Sequence, residues 1–208
     1  MAQAKGPLLD PQVNAVIARL LSERTHPPHG MDSDQPEAYA NYGFPISPQQ
    51  GDLIYLLCRA QRATRVAEFA TSLGFSTLYA AAAVRDNGGG IVIGSEIVPQ
   101  KVAAAQRNLA AAGLAQWVDI RLGDARQTLR DLGGGVDFAL IDGWPTEEAK
   151  SLALQVMQLI APQVRIGGLV MNDNAEPDYL RFVRDPSNGF LSLSLPIKRG
   201  TELSLKVA

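Results

Sequence analysis

The residues best suited to chemistry stand at the ends of apolar runs. Asp142 closes Val136-Asp137-Phe138-Ala139-Leu140-Ile141, and Asp173 with Asn174 closes Gly168-Leu169-Val170-Met171-Asn172. If these runs are neighbouring parallel strands, the three side chains come within reach of one ion. Two carboxylates and an amide oxygen, with no His or Cys beside them, are hard donors suited to Mg²⁺ or Ca²⁺. A plain turn at Asp173-Asn174 is the other reading. Two more acids lie late in runs of the same kind, Glu68 in Arg65-Val66-Ala67-Glu68-Phe69-Ala70 and Glu96 in Ile91-Val92-Ile93-Gly94-Ser95-Glu96. A strand-end acid such as Glu96 accepts both hydroxyls of a ribose; a solvated carboxylate is the alternative. Glu68 repels phosphate and favours a ligand with a cationic or hydroxyl-bearing part.

The turn Ala70-Thr71-Ser72-Leu73-Gly74-Phe75-Ser76 is built of small residues that let the backbone approach a ligand. Gly74 has access to dihedrals barred to other residues, and Ser76 is expected to cap the following helix. The G-x-G-x-x-G turn that seats a dinucleotide is absent, as is a Tyr-Lys or His arrangement for hydride transfer, which argues against an NAD-dependent dehydrogenase. At Gly123-Asp124-Ala125, Asp124 reads as a helix cap, or its turn holds an adenine by backbone amides. His26 and His29 have no carboxylate arranged around them and read as solvated loop residues. Cys58, the single cysteine, sits in an apolar run and reads as an inert buried thiol.

The elements that must position these residues follow from periodicity. A helix is expected over 11–24, with Asp10 as cap, Pro11 at the first position, and Val13, Val16, Ile17, Leu20 and Leu21 on one face. A Pro-rich loop follows, and then a second helix at Ser47-Pro48-Gln49-Gln50, which has capping-box spacing. Strands at 65–70, 91–95, 117–122, 136–141 and 168–172 alternate with helices at 75–85, 99–112, 124–131 and 146–161. That alternation predicts an α/β fold with a parallel sheet covered on both faces. The period-two runs 190–195 and 202–207, with Gly200 between them, predict an antiparallel hairpin at the end. Segment 174–185, with Tyr179, Phe182, Arg181 and Arg184, reads either as a wall of the substrate site or as an amphipathic surface helix.

The chain has 208 residues, 46% hydrophobic and 19% charged, which excludes a disordered chain and allows a sizeable core. One domain over 1–208 is expected, with 1–46 as an N-terminal helical extension and Pro-rich loop within it. A balance of 19 basic against 21 acidic side chains gives no basic patch for nucleic acid. No apolar stretch approaches the roughly 18 residues of a membrane span, and no leader is seen. The expectation is a soluble, cytoplasmic protein that engages neither nucleic acid nor membrane.

In combination, the segment 66–81, Glu96, the Leu-Gly-Asp-Ala run at 122–125, the run to Asp142, the run to Asn174 and the final hairpin resemble the class I S-adenosylmethionine-dependent methyltransferases. They are most similar to the catechol O-methyltransferase branch and its bacterial small-molecule relatives, from about Phe44 onward. The resemblance implies a Rossmann-like methyltransferase fold, a seven-stranded sheet with its last strand antiparallel. It also implies that Glu68 and Ala70 lie beside the amino-acid end of the cofactor, with Ser72 and Ser76 binding its carboxylate or lining that pocket. Glu96 would hold the ribose, Ile97 would pack on the adenine, and Asp124, Ala125 and Arg126 would edge it. Ile46 would cover the cofactor, and Trp144 would wall the methionine end. Asp142, Asp173 and Asn174 would bind Mg²⁺, with Asp142 the residue placed at the catalytic step.

The implied reaction is methyl transfer to a hydroxyl of a small, catechol-like, metal-chelated substrate. By analogy with bacterial relatives a homodimer using helix 11–24 is expected. Two residues depart from the family pattern. The family's proton-accepting lysine, three residues after the first aspartate, is here Pro145, and Lys150 on the following helix is the nearest lysine downstream. A glycine of the family is Ala70. Pro145 leaves several possibilities open: the metal alone acidifies the substrate, a base comes from elsewhere, the substrate is already an anion, or catalysis is lost. A metal-independent methyltransferase and a degenerate cofactor-binding relative are therefore the alternatives.

Overall fold

Local chemistry sets the first two helices. The Asp10 carboxylate accepts from the backbone N–H groups of Gln12 and Val13 at 2.8 and 3.1 Å, opening α1 (Pro11–Ser22). Val13, Val16 and Ile17 are buried, whereas Leu21, expected on the same face, points outward. At α2 (Pro48–Ala60) the capping box is complete. The Gln50 N–H donates to Ser47 Oγ at 3.2 Å, and the Ser47 N–H donates to Gln50 Oε1 at 2.7 Å. The computed structural model describes residues 6–31, 33, 35–143, 150–198 and 200–208.

The expected alternation follows: β1 (Arg65–Phe69), α3 (Phe75–Asp86), β2 (Ile91–Glu96), α4 (Pro99–Ala111), β3 (Val118–Leu122), α5 (Ala125–Thr128) and β4 (Val136–Ile141). Then come α6 (Leu152–Ile160), β5 (Val164–Asp173), α7 (Pro177–Arg184), β6 (Phe190–Leu195) and β7 (Thr201–Lys206). The strands form one seven-stranded sheet in the order β3-β2-β1-β4-β5-β7-β6. The first five are parallel, and β7 runs antiparallel to both β5 and β6. This is the Rossmann-like methyltransferase sheet that the resemblance implied.

Three boundaries differ from expectation by more than two residues. β5 begins at Val164 rather than 168, because Val164 pairs with Val136 ahead of a bulge, where Gly167 takes φ +82°. α5 is a single turn, since Leu129 leaves helical geometry and turns into the core. α6 starts at Leu152, where the Ser151 Oγ accepts from the Leu154 N–H at 3.1 Å. Lys150 therefore precedes the helix and is exposed.

Successive residues of β4 serve opposite faces. Phe138 and Leu140 pack into a core with α1, α2 and α3, while Ala139 and Ile141 pack into another with α6 and α7. Burial on both faces explains why the run is apolar throughout. Parallel pairing brings the carboxyl ends of β1, β2, β4 and β5 to one edge, where ligands bind in open α/β sheets. No helix among the described residues is long and apolar enough to cross a membrane.

Candidate active site

The turn leaving β1 is strongly bent. Ala70, Ser72 and Gly74 take φ of +67°, +51° and +83°, and the N–H groups of Ala70 and Thr71 both donate to the Ser95 carbonyl at 3.0 and 3.1 Å. This geometry carries the Ser72 N–H to Glu96, whose Oε2 accepts it at 2.8 Å; Glu96 Oε1 accepts the Val98 N–H at 2.9 Å. Glu96, only 6% exposed, thus ties the tips of β1 and β2 together.

Above this tie lies a cavity of about 260 Å³, lined among others by Ala70, Ser72, Glu96, Ile97, Asp124, Ala125, Arg126 and Asp142. A second space of about 120 Å³ is lined by Ile46 and Ser76 and shares Ala70, Ser72 and Asp142 with the first. Ile97 stays 45% exposed at the rim of the larger cavity, a flat apolar surface suited to a planar ring. Most of the residues expected around a nucleoside are therefore brought together.

Other expected site residues are placed differently. Glu68 lines neither space: its carboxylate is buried and accepts from Ser76 Oγ and Thr77 Oγ1, each at 2.6 Å. Burial outweighs those two bonds and pushes Glu68 above its ordinary range. The helix cap of α3 is Gly74 rather than Ser76, because the turn needs a left-handed residue there and Ser76 is drawn inward by Glu68. Asp124 caps α5 by accepting the Arg126 N–H at 2.8 Å, and it also pairs with the Arg126 guanidinium at 2.6 Å. These bonds, led by the guanidinium, hold its carboxyl below the usual range.

Sequence reasoning missed Tyr39, Phe44 and Lys101, which close the larger cavity from the N-terminal segment and from α4. Lys101 is 7% exposed, with its Nζ 5.6 Å from the centre of the Phe44 ring. Burial pushes its ammonium down, and Glu96 opposes that shift. The third residue of a helix following a strand-end acid was the available signal.

Asp142, Asp173 and Asn174 do converge. The Asp142 carboxyl shares a hydrogen bond with Asp173, and burial followed by the Asp173 charge pushes Asp142 well above the carboxylate range. Gly143 is required next to it, since a Cβ there would lie 1.7 Å from the Phe69 ring. Two side chains absent from the expectation complete the cluster. Gln50 donates from Nε2 to Asp173 Oδ1 at 2.7 Å, and the Lys198 ammonium donates to Asp173 Oδ2. Asn174 turns its amide nitrogen, not its oxygen, to Asp173 Oδ2 at 2.9 Å.

As arranged, the donor set does not fit a divalent ion. Both Asp173 oxygens already accept bonds, Asn174 presents a donor, and an ammonium stands where the ion was expected. Among the described residues no group of three or more His, Cys, Asp or Glu side chains could hold a metal. Trp144 and Pro145 lie outside the described residues. His26 and His29 are exposed, and the Cys58 thiol is buried and pushed up by that burial, in keeping with an inert role.

A sheet of this order with a cavity over its first two strand tips is the architecture expected of a methyltransferase domain. A family model described as a methyltransferase domain matches residues 67–175, more than half of the chain, and the chain belongs to that family. A catechol O-methyltransferase of Niastella koreensis is 33% identical over 149 residues, 65% of this chain and 66% of its own length. The match thus spans just under two thirds of that relative. The crystal structure of cofactor-bound Rv0187 from MTB is similar with a TM-score of 0.71 at 26% identity, covering 95% of this chain and 90% of that one. An O-methyltransferase from Bacillus cereus in complex with SAH shares the fold, with a TM-score of 0.67 at 18% identity over 92% of this chain and 90% of that one.

Proposed function

We propose that this protein is an S-adenosylmethionine-dependent O-methyltransferase acting on a hydroxyl of a small, catechol-like aromatic. One observation carries the reading. Asp142, a member of the acidic centre at the tips of β4 and β5, lines both the cavity that Glu96 and Ile97 suit to a nucleoside and the smaller space beside it. The relative named catechol O-methyltransferase and the neighbour described with bound SAH support it. When bound, the cofactor supplies a methyl group on a cationic sulfur, open to attack by an oxygen.

The chain's own residues set the approach. Glu96, held by two backbone amides, is fixed to receive ribose hydroxyls, and Ile97 offers its exposed face to the base. Asp142, which borders both spaces, orients the acceptor hydroxyl toward the first cavity. Holding both partners in line replaces a bimolecular encounter by a positioned one. Tyr39 and Phe44 exclude water from the cavity's outer side.

Binding a hard divalent ion such as Mg²⁺ is the role the resemblance gives Asp142, Asp173 and Asn174, and as they stand they do not fit one. That role requires Lys198 and the Asn174 amide nitrogen to leave Asp173 first. The homodimer expected through α1 would have to use its outer residues, because Val13, Val16 and Ile17 face the chain's own core.

The test is calorimetry with S-adenosylhomocysteine, followed by methyl transfer to catechol. One saturable site is expected, and Glu96→Ala should weaken it by about tenfold to a hundredfold through loss of charge-assisted hydrogen bonds. Absence of both heat and thermal shift in the unsubstituted protein would overturn the proposal.

A further inference from the structure

We propose that the Lys198 ammonium is the resident cation of the acidic centre, and that Lys198 and a divalent ion are mutually exclusive occupants of Asp142 and Asp173. The placement follows from strand register. Asp173, the last residue of β5, pairs with Thr201, the first residue of β7. Lys198 stands three residues before Thr201, in a turn closed by the Gly200 N–H on the Ile197 carbonyl at 3.0 Å, and it takes φ +56°. That left-handed conformation is unusual for a lysine and aims the chain back over the sheet edge. The Asp173 side chain is fully buried, whereas Lys198 remains 31% exposed, so the lysine enters from solvent and its head is drawn down to the carboxylate.

Charge balance explains the contact. Asp142 and Asp173 are buried side by side with Glu68 nearby, and the Asp173 carboxylate carries the ammonium contact. Such a cluster needs a cation or a proton. Gln50 and Asn174 bring only neutral donors to Asp173, and among the described residues Lys198 is the cation that acts on Asp142. Both Asp173 oxygens are already engaged, and an ion at the Lys198 position would lie within a few ångströms of the ammonium. Two positive charges there repel strongly. Where the family pattern has a lysine this chain has Pro145, and a lysine from the β6–β7 turn reaches Asp173. The inference uses the proposed function only to say what these acids serve; the seat itself stands on the geometry.

The experiment titrates Mn²⁺, as a probe of hard divalent binding, into the full chain and four variants, with free Mn²⁺ read by electron paramagnetic resonance. Unsubstituted protein should show no saturable site into the millimolar range. The neutral variants Lys198→Met and Lys198→Gln, one apolar and one polar, should each gain a one-to-one site, tighter by at least about tenfold. Lys198→Arg, which keeps the charge, should not. Asp173→Asn in the Lys198→Gln background should abolish the gained site. Tight one-to-one binding by the unsubstituted protein would overturn the proposal, and so would failure of every folded neutral variant to gain a site. Should neither neutral variant fold, the unsubstituted titration alone decides. The same samples titrated with S-adenosylhomocysteine report on the functional reading. Loss of that heat with the Mn²⁺ pattern intact would strike the function and leave the lysine seat standing.

Discussion

Ala70 carries a local conformational cost. It holds φ +67° beside the cavity, a conformation in which a Cβ crowds the following carbonyl by roughly 1–2 kcal/mol. Its backbone N–H is bound to Ser95, so the turn cannot relax without releasing β2. Ala70→Gly is therefore expected to stabilise the fold by about 1 kcal/mol, offset in part by greater freedom of the unfolded chain. Differential scanning calorimetry should record a melting temperature about 2–4 °C higher for a chain of this size. A lower melting temperature would mean that the Cβ packs usefully in the cavity wall. Asn174, at φ +59°, needs no such correction, because asparagine tolerates the left-handed region.

At the scale of elements, the C-terminal hairpin is held to the rest of the fold by a buried charge. Segment 174–185 contains the short amphipathic helix α7, with Tyr179 and Val183 facing inward, and Arg184 reaches from it to Glu202 on β7 at 2.8 and 2.9 Å. Ser192 and Ser194 on β6 donate to the same carboxylate at 2.6 and 2.5 Å. Burial by itself would raise Glu202; Arg184 and the two serines outweigh it and hold the carboxyl down at about 2. A carboxyl lowered by folding stabilises the native state above its unfolded pKa. That contribution fades as pH drops from about 4.5 toward about 2. Arg184 is half exposed and screened, so the contribution is on the order of 2 kcal/mol. Urea unfolding across this pH range should show the loss. Glu202→Gln should be less stable at neutral pH by a similar amount and lose less on acidification.

At the scale of the whole molecule, the cavity is closed by chain segments far apart in sequence: the N-terminal strap with Tyr39, Phe44 and Ile46, and the strand tips with Ala70, Glu96 and Asp142. A ligand held between them binds the folded chain and not the unfolded one. S-adenosylhomocysteine at a hundred times its dissociation constant should add about 2.7 kcal/mol, a shift of roughly 5–10 °C in melting temperature. Hydrogen exchange should slow in the strap as well as at the strand tips. Slowing confined to the strand tips would mean that the strap is not part of the site. Light scattering checks the expected homodimer, with a mass of twice 22.3 kDa as the expected result.

Periodicity, caps and apolar runs are local properties. For that reason the alternating elements, the final hairpin, the Asp10 cap and the Ser47-Gln50 capping box were readable from residue order alone. Strand ends were readable too, which singles out Glu96 and Asp142, whereas Ile97 stood out only through the family resemblance. What side chains do across the fold was not readable. Gln50 is recognisable as a cap, yet its amide nitrogen meets Asp173 across 123 positions of sequence. Lys198 reaches the same acid only because β5 and β7 pair in one register. Glu68 carries the residue type for a ligand contact, but burial and two neighbouring hydroxyls claim its carboxylate. A carboxylate takes whichever donors lie nearest in space, and that proximity is set by packing.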